Sequence, residues 1–160
     1  MKKILLVFLC AALLLAGCAY TGDHDTDYKP RGDGTFPTVD TAEKDSVDYV
    51  VAALIKAGQV VRDTYALRPA GDAEQACYLR TNGIGAEIYR YKEDSETLAW
   101  IRKNGAYPIR DDTGALLSKK RAAVNGRFVL MIPGEKNARQ EDVTKLNDKL
   151  EERFLALKLE

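Results

Sequence analysis

Two Asn-Gly pairs constrain this chain most. Asn82-Gly83 separates the run EQACYLRT from IGAEIYRY, and Asn125-Gly126 separates ALLSKKRAAV from RFVLMI. The flanking runs are rich in β-branched and aromatic residues, which suit a pleated surface. Each pair fits a two-residue type I′ turn, because both central residues of that turn need positive φ. Two such hairpins predict a sheet built largely of antiparallel strands.

Helical periods frame the hairpins. Val47, Val50, Val51, Leu54 and Ile55 recur at the spacing of one helix face. Asp40 and Glu43 upstream have the spacing of a capping box, and Gly58 supplies a left-handed stop, so a helix is expected to open near Asp40. QVVRDTYAL then reads as a strand, and RPAGDA breaks it. A second helix is predicted from Ser95 to Asn104, capped by Asp94 or Ser95, with Leu98 and Ile101 on one face and Gly105 ending it. In AYPIR, Pro108 restricts the strand to a sheet edge or an irregular position. Val143, Leu146, Leu150, Phe154 and Leu157 mark a closing amphipathic helix from about residue 140.

AALIKAGQVVRDT, from Ala52, resembles LAWIRKNGAYPIRDDT, from Leu98, and each stretch leads to an Asn-Gly hairpin. Helix, strand and hairpin thus occur twice in the same order, as degenerate repeats would. The predicted class is α+β, with about three helices covering one face of a largely antiparallel sheet.

The N-terminus sets the address. Lys2 and Lys3 precede an unbroken apolar run from Ile4 to Ala16, the layout of an export signal. Thirteen apolar residues are too few to cross a bilayer core, which needs roughly 20. Leu15-Ala16-Gly17-Cys18 resembles the lipobox of bacterial lipoproteins, over residues 1–18. That resemblance implies removal of residues 1–17 and lipid attachment at Cys18, with acyl chains holding the protein on a membrane. In that family an aspartate after the cysteine commonly retains the protein at the inner membrane. Ala19 therefore implies the outer membrane, facing the periplasm, in a host that has one, and otherwise the outer face of the cytoplasmic membrane.

Residues 18–39 read as the lipidated terminus and a flexible tether, since Gly, Asp, Thr and Pro dominate without an apolar period. Residues 40–160 then form one α+β domain. Loss of the signal leaves 22 basic against 24 acidic residues, which gives no general attraction to nucleic acid. Cys10 departs with the signal and Cys18 is lipidated, so no intrachain disulfide is available to Cys77. It shares a strand face with Leu79 and reads as a buried structural thiol.

No catalytic constellation emerges. Asp23 to Asp27, DHDTD, is the most metal-like string, but an EF-hand loop starting there would need glycine and glutamate where Tyr28 and Gly34 stand. Arg31 to Asp33 matches a short adhesion tripeptide that recurs by chance. The single histidine, His24, lies in the tether, leaving Cys77 and the serines without an orienting base. At Ser118 a Ser-x-x-Lys motif fails because Arg121 takes the lysine place. Asp111 and Asp112 precede Thr113-Gly114 and read as turn residues.

Two surface features remain. Lys119, Lys120 and Arg121, joined by Arg127 across the hairpin, form a basic patch of the kind that also guards sheet edges. Tyr78, Tyr89 and Tyr91 alternate along strands, either as an aromatic platform or as packing against helices. The expectation is a lipid-anchored envelope protein that is not an enzyme, with no cofactor and no metal site, binding an envelope protein. The alternatives are an envelope enzyme working through carboxylates, or a binder of cell wall or small ligands.

Overall fold

The computed structural model describes residues 29–30, 36–132 and 140–159. Among the described residues three helices, α1 (Val47–Lys56), α2 (Glu96–Asn104) and α3 (Gln140–Leu155), accompany seven strands. These are β1 (Lys29–Pro30), β2 (Val61–Ala66), β3 (Ala73–Thr81), β4 (Gly85–Tyr91), β5 (Ala106–Arg110), β6 (Leu116–Asn125) and β7 (Phe128–Ile132). All pair antiparallel in the order β1-β2-β3-β4-β7-β6-β5. The fold is α+β.

The repeated order in the sequence is the order of the fold. Each unit is a helix followed by three antiparallel strands, and the units meet where β4 pairs with β7. Pro108 lies in the edge strand β5, as its missing N–H requires. At the opposite edge, Lys29–Pro30 pairs with Tyr65–Ala66 inside the segment read as tether. Phe36, also from that segment, packs against the core.

Helix α1 opens at Ser46 rather than Asp40. Ser46 stands immediately before the apolar stripe, and its hydroxyl accepts the Tyr49 N–H at 3.1 Å. Gln75 Oε1 accepts the Val47 N–H at 3.0 Å. Thr41, Glu43 and Lys44 are exposed, so a helix extended back to Asp40 would have little apolar surface to bury there. Helix α2 follows its prediction closely, with Ser95 accepting the Leu98 N–H and Gly105 ending it at φ 62°.

The helices do not share one face of the sheet. Helices α1 and α3 pack over Cys77, Leu79, Ile88, Phe128 and Leu130, whereas α2 packs over Tyr89, Tyr91, Val129 and Met131. Successive strand residues point to opposite faces, so β4 and β7 are covered on both sides. The unbroken apolar run FVLMI is the signature of such a two-sided strand.

Both hairpins form, with turns other than those expected. At the first, Gly83 alone takes positive φ, 100°, and Asn82 does not, which excludes type I′. At the second, Asn125 pairs with Phe128, leaving Gly126-Arg127 as the loop. Only Gly126 there has positive φ, 59°, the sign pattern of a type II′ turn. Asn125 serves elsewhere: its Nδ2 donates to the Phe154 and Leu157 carbonyls at 2.8 and 2.9 Å and ties down the end of α3.

Candidate binding site

Cys18, His24, the Asp23 to Asp27 string and the Arg31 to Asp33 tripeptide lie outside the described residues. Cys77 is fully buried beside Leu79, as its strand position implied. Ser118 is exposed on β6. Asp111 is a turn residue: its Oδ1 accepts from the Thr113 hydroxyl at 2.7 Å and from the Thr113 and Ala115 N–H groups. Those bonds, the hydroxyl first, hold its carboxyl below the usual range. Among the described residues no group of three His, Cys, Asp or Glu is placed to hold a metal. No described helix is long and apolar enough to cross a membrane.

The basic patch is dispersed. Arg121 turns to α3, meeting Asp148 at 2.7 Å and Glu151 at 2.5 Å. Lys119 lies 5.6 Å from the Trp100 ring centroid, with Arg110 at 5.8 Å. Arg127 is engaged elsewhere, pairing with Asp45. Arg90 reaches the same carboxylate at 2.9 Å and Glu74 at 3.2 Å, fastening the N-terminal end of α1 to the sheet. A cleft of about 180 Å³ beside this network is lined by Lys44, Asp45, Tyr49 and Lys158.

The tyrosines divide. Tyr89 and Tyr91 are core residues under α2 with their ring centroids 6.3 Å apart, and Tyr89 stacks on Tyr107 from the far edge strand. The Tyr89 and Tyr107 centroids are 5.4 Å apart, although β7 and β6 intervene and three strand spacings span ~14 Å on a flat sheet. The sheet therefore curls toward this face. Glu87 lies there too, 6% exposed, and accepts the Tyr89 hydroxyl. Burial, reinforced by the Glu87 charge, pushes the Tyr89 phenol well above its usual range. Burial does the same to Tyr91, whose hydroxyl lies near Tyr107 without a hydrogen bond of good geometry. Tyr107 is also raised, burial outweighing its contact with Tyr91. At the rim, burial opposes ionisation of Asp72, but hydrogen bonds from Thr97 and Ser95 outweigh it and lower its pKa.

Tyr78 behaves differently. It faces Tyr65 at 5.9 Å, half-buried, with its ring lying over Gly85. A Cβ at Gly85 would come within 2.6 Å of the Tyr78 Cζ, so only glycine leaves room for the ring.

On the opposite face an apolar cleft of about 190 Å³ opens where three elements meet. The connection after α1 supplies Gly58, Gln59 and Val60, the β3–β4 turn supplies Thr81, Asn82 and Ile84, and α3 supplies Leu146, Lys149 and Arg153. Val60 is 53% exposed and Leu146 39%, while Ile84 forms buried floor. The walls are braced: Arg153 donates to Gln59 Oε1 at 2.8 Å, and Arg62 donates to Asn82 Oδ1. Among the described residues no carboxylate lines the cleft.

Sequence periodicity placed Leu146 with the buried stripe of α3, and Leu150 and Phe154 of that stripe are indeed fully buried. Leu146 instead overhangs the hairpin turn at Gly83. The available signal was the Val60-Val61 doublet, since neighbouring residues entering a strand point to opposite sides.

Comparison with known proteins returns no match, whether to family models, to curated proteins or to solved structures.

Proposed function

We propose that this chain is a lipid-anchored envelope protein whose α+β domain is a non-catalytic binding module for an envelope protein. The anchor reading rests on Leu15-Ala16-Gly17-Cys18 and the apolar run before it. The single observation that carries the binding role is the apolar cleft between α1, the β3–β4 turn and α3. It exposes Val60 and Leu146 together in a concave site, whereas scattered apolar residues on a surface need no explanation. Ala19 favours the outer membrane in a two-membrane host.

The test has two readouts. Metabolic labelling with palmitate should mark the full-length protein and not Cys18→Ala, and equal labelling would remove the anchor. Cross-linking in cells, from full-length protein beside an unanchored form, should recover a stoichiometric partner through the folded domain. Good protein recovery without a partner would move the role to a small ligand, a polymer or catalysis.

A further inference from the structure

We propose that the cleft between Val60, Ile84 and Leu146 docks an acidic peptide segment of a partner protein. One apolar side chain of that segment enters the cleft and its carboxylates face Lys149 and Arg153. The proposal rests on the binding-module reading and specifies the partner's chemistry.

Charge argues for the acidic partner. Five described arginines pair with carboxylates, among them Arg80 with Asp63, Arg102 with Glu93 and Arg121 with Asp148, whereas Lys145 with Glu141 is the one described lysine that does. The two arginines around the cleft are not among them. Arg153 is held by the Gln59 amide and Arg62 by the Asn82 amide, neither of which cancels charge. Lys149, like most described lysines, has no ion pair among the described residues, and none of the described residues lining the walls is acidic. A local excess of positive charge on a chain of near-zero net charge steers an anionic partner to that spot.

Size argues for a side-chain anchor. About 190 Å³ lies below the ~300 Å³ at which pockets begin to enclose drug-sized ligands. It suits one inserted side chain ringed by polar contacts, the usual anatomy of an interface hot spot. The braces from Arg153 to Gln59 and from Arg62 to Asn82 keep the walls in place before binding, which lowers the ordering cost.

The experiment is selection of a random peptide display library on detergent-solubilised full-length protein, with Leu146→Asp as the counter-selection target. Enriched peptides should carry an apolar residue adjacent to, or one removed from, Asp or Glu. A selected peptide should shift the methyl resonances of Val60, Ile84 and Leu146 and bind about tenfold more weakly to Lys149→Glu. Lys149→Glu combined with Arg153→Glu should turn the preference toward basic peptides. Unchanged thermal unfolding of each variant keeps these readouts about binding.

Three results would overturn the proposal: no enrichment, enrichment indifferent to charge, or the same peptides recovered on Leu146→Asp. Binding of phosphatidylglycerol vesicles through these residues, with no peptide selected, would assign the cleft to a lipid surface and also refute it. Palmitate labelling and cellular cross-linking are independent of the selection. A failed selection beside a captured partner therefore removes this docking mode and leaves the binding module standing.

Discussion

The two faces of the sheet are both buried, yet they are built from different chemistry. Under α1 and α3 the contacts are aliphatic and phenyl, with Leu54, Leu79, Ile88, Phe128, Leu150 and Phe154 closed from solvent and a thiol among them. Under the shorter α2 three tyrosines join Leu98, Ile101, Val129 and Met131, with Glu87 beside them and Asp72 at the rim. Apolar groups are stabilised by removal from water alone, whereas each buried hydroxyl or carboxylate needs a partner to offset its lost hydration. The first face should depend on volume and the second on hydrogen bonding and pH.

Removing volume from the first face gives the largest expected effect. Phe154 is fully buried near the end of α3, and Phe154→Ala should destabilise by about 3–5 kcal/mol in urea unfolding. A loss below about 1 kcal/mol would mean that α3 is not seated on the sheet.

Next comes the close approach of Tyr78 to Gly85. Gly85→Ala should cost about 1–3 kcal/mol through overpacking. Tyr78→Ala in the same chain should recover much of that loss, because the clash is with the ring and not with backbone. Additive effects would show that the ring does not lie over the glycine.

Asn125→Ala joins the two halves of the comparison, since β6 contributes to both faces. It leaves the Phe154 and Leu157 carbonyls without their side-chain donor and should cost about 1–2 kcal/mol. Asn125→Gly should do no better if anchoring of α3 matters and turn geometry does not. Recovery by glycine would return Asn125 to a turn role.

The same residue shows what sequence reading could reach. Asn125-Gly126 located the hairpin correctly, but the turn took Gly126-Arg127 because Asn125 had a second use some thirty residues away. Ser46 displaced Asp40 as the cap because tertiary burial, and not cap chemistry alone, decides where a helix begins. Strand alternation revealed which residues share a side, but nothing local states which helix covers that side. The separation of α2 from α1 and α3 was therefore not legible, apart from the two-sided run in β7. The cleft was hidden for a similar reason: Val60, Ile84 and Leu146 come from three distant elements. The dispersal of Lys119, Arg121 and Arg127 likewise depended on long-range partners, Asp148 and Asp45 among them.

The smallest expected effect tests the tyrosine face by charge. Tyr89, Tyr91 and Tyr107 all hold their protons more tightly in the fold, chiefly through burial. In the unfolded chain these phenols ionise near ~10. Above that pH the unfolded state releases protons that the native state retains, so native stability is intact below ~10 and declines as pH rises further. Tyr91→Phe removes a buried hydroxyl that makes no well-formed hydrogen bond, so at neutral pH it should change stability by no more than about 1 kcal/mol, in the stabilising direction. The same substitution should also flatten the alkaline decline, whereas Phe128→Leu on the aliphatic face should lower the whole curve without changing its slope. Unfolding free energies measured across that range, with phenolate absorbance of the folded protein alongside, separate the two behaviours. Ionisation of all eight tyrosines near ~10 in the folded state would mean that α2 leaves its face open to water, and the contrast between the faces would fail.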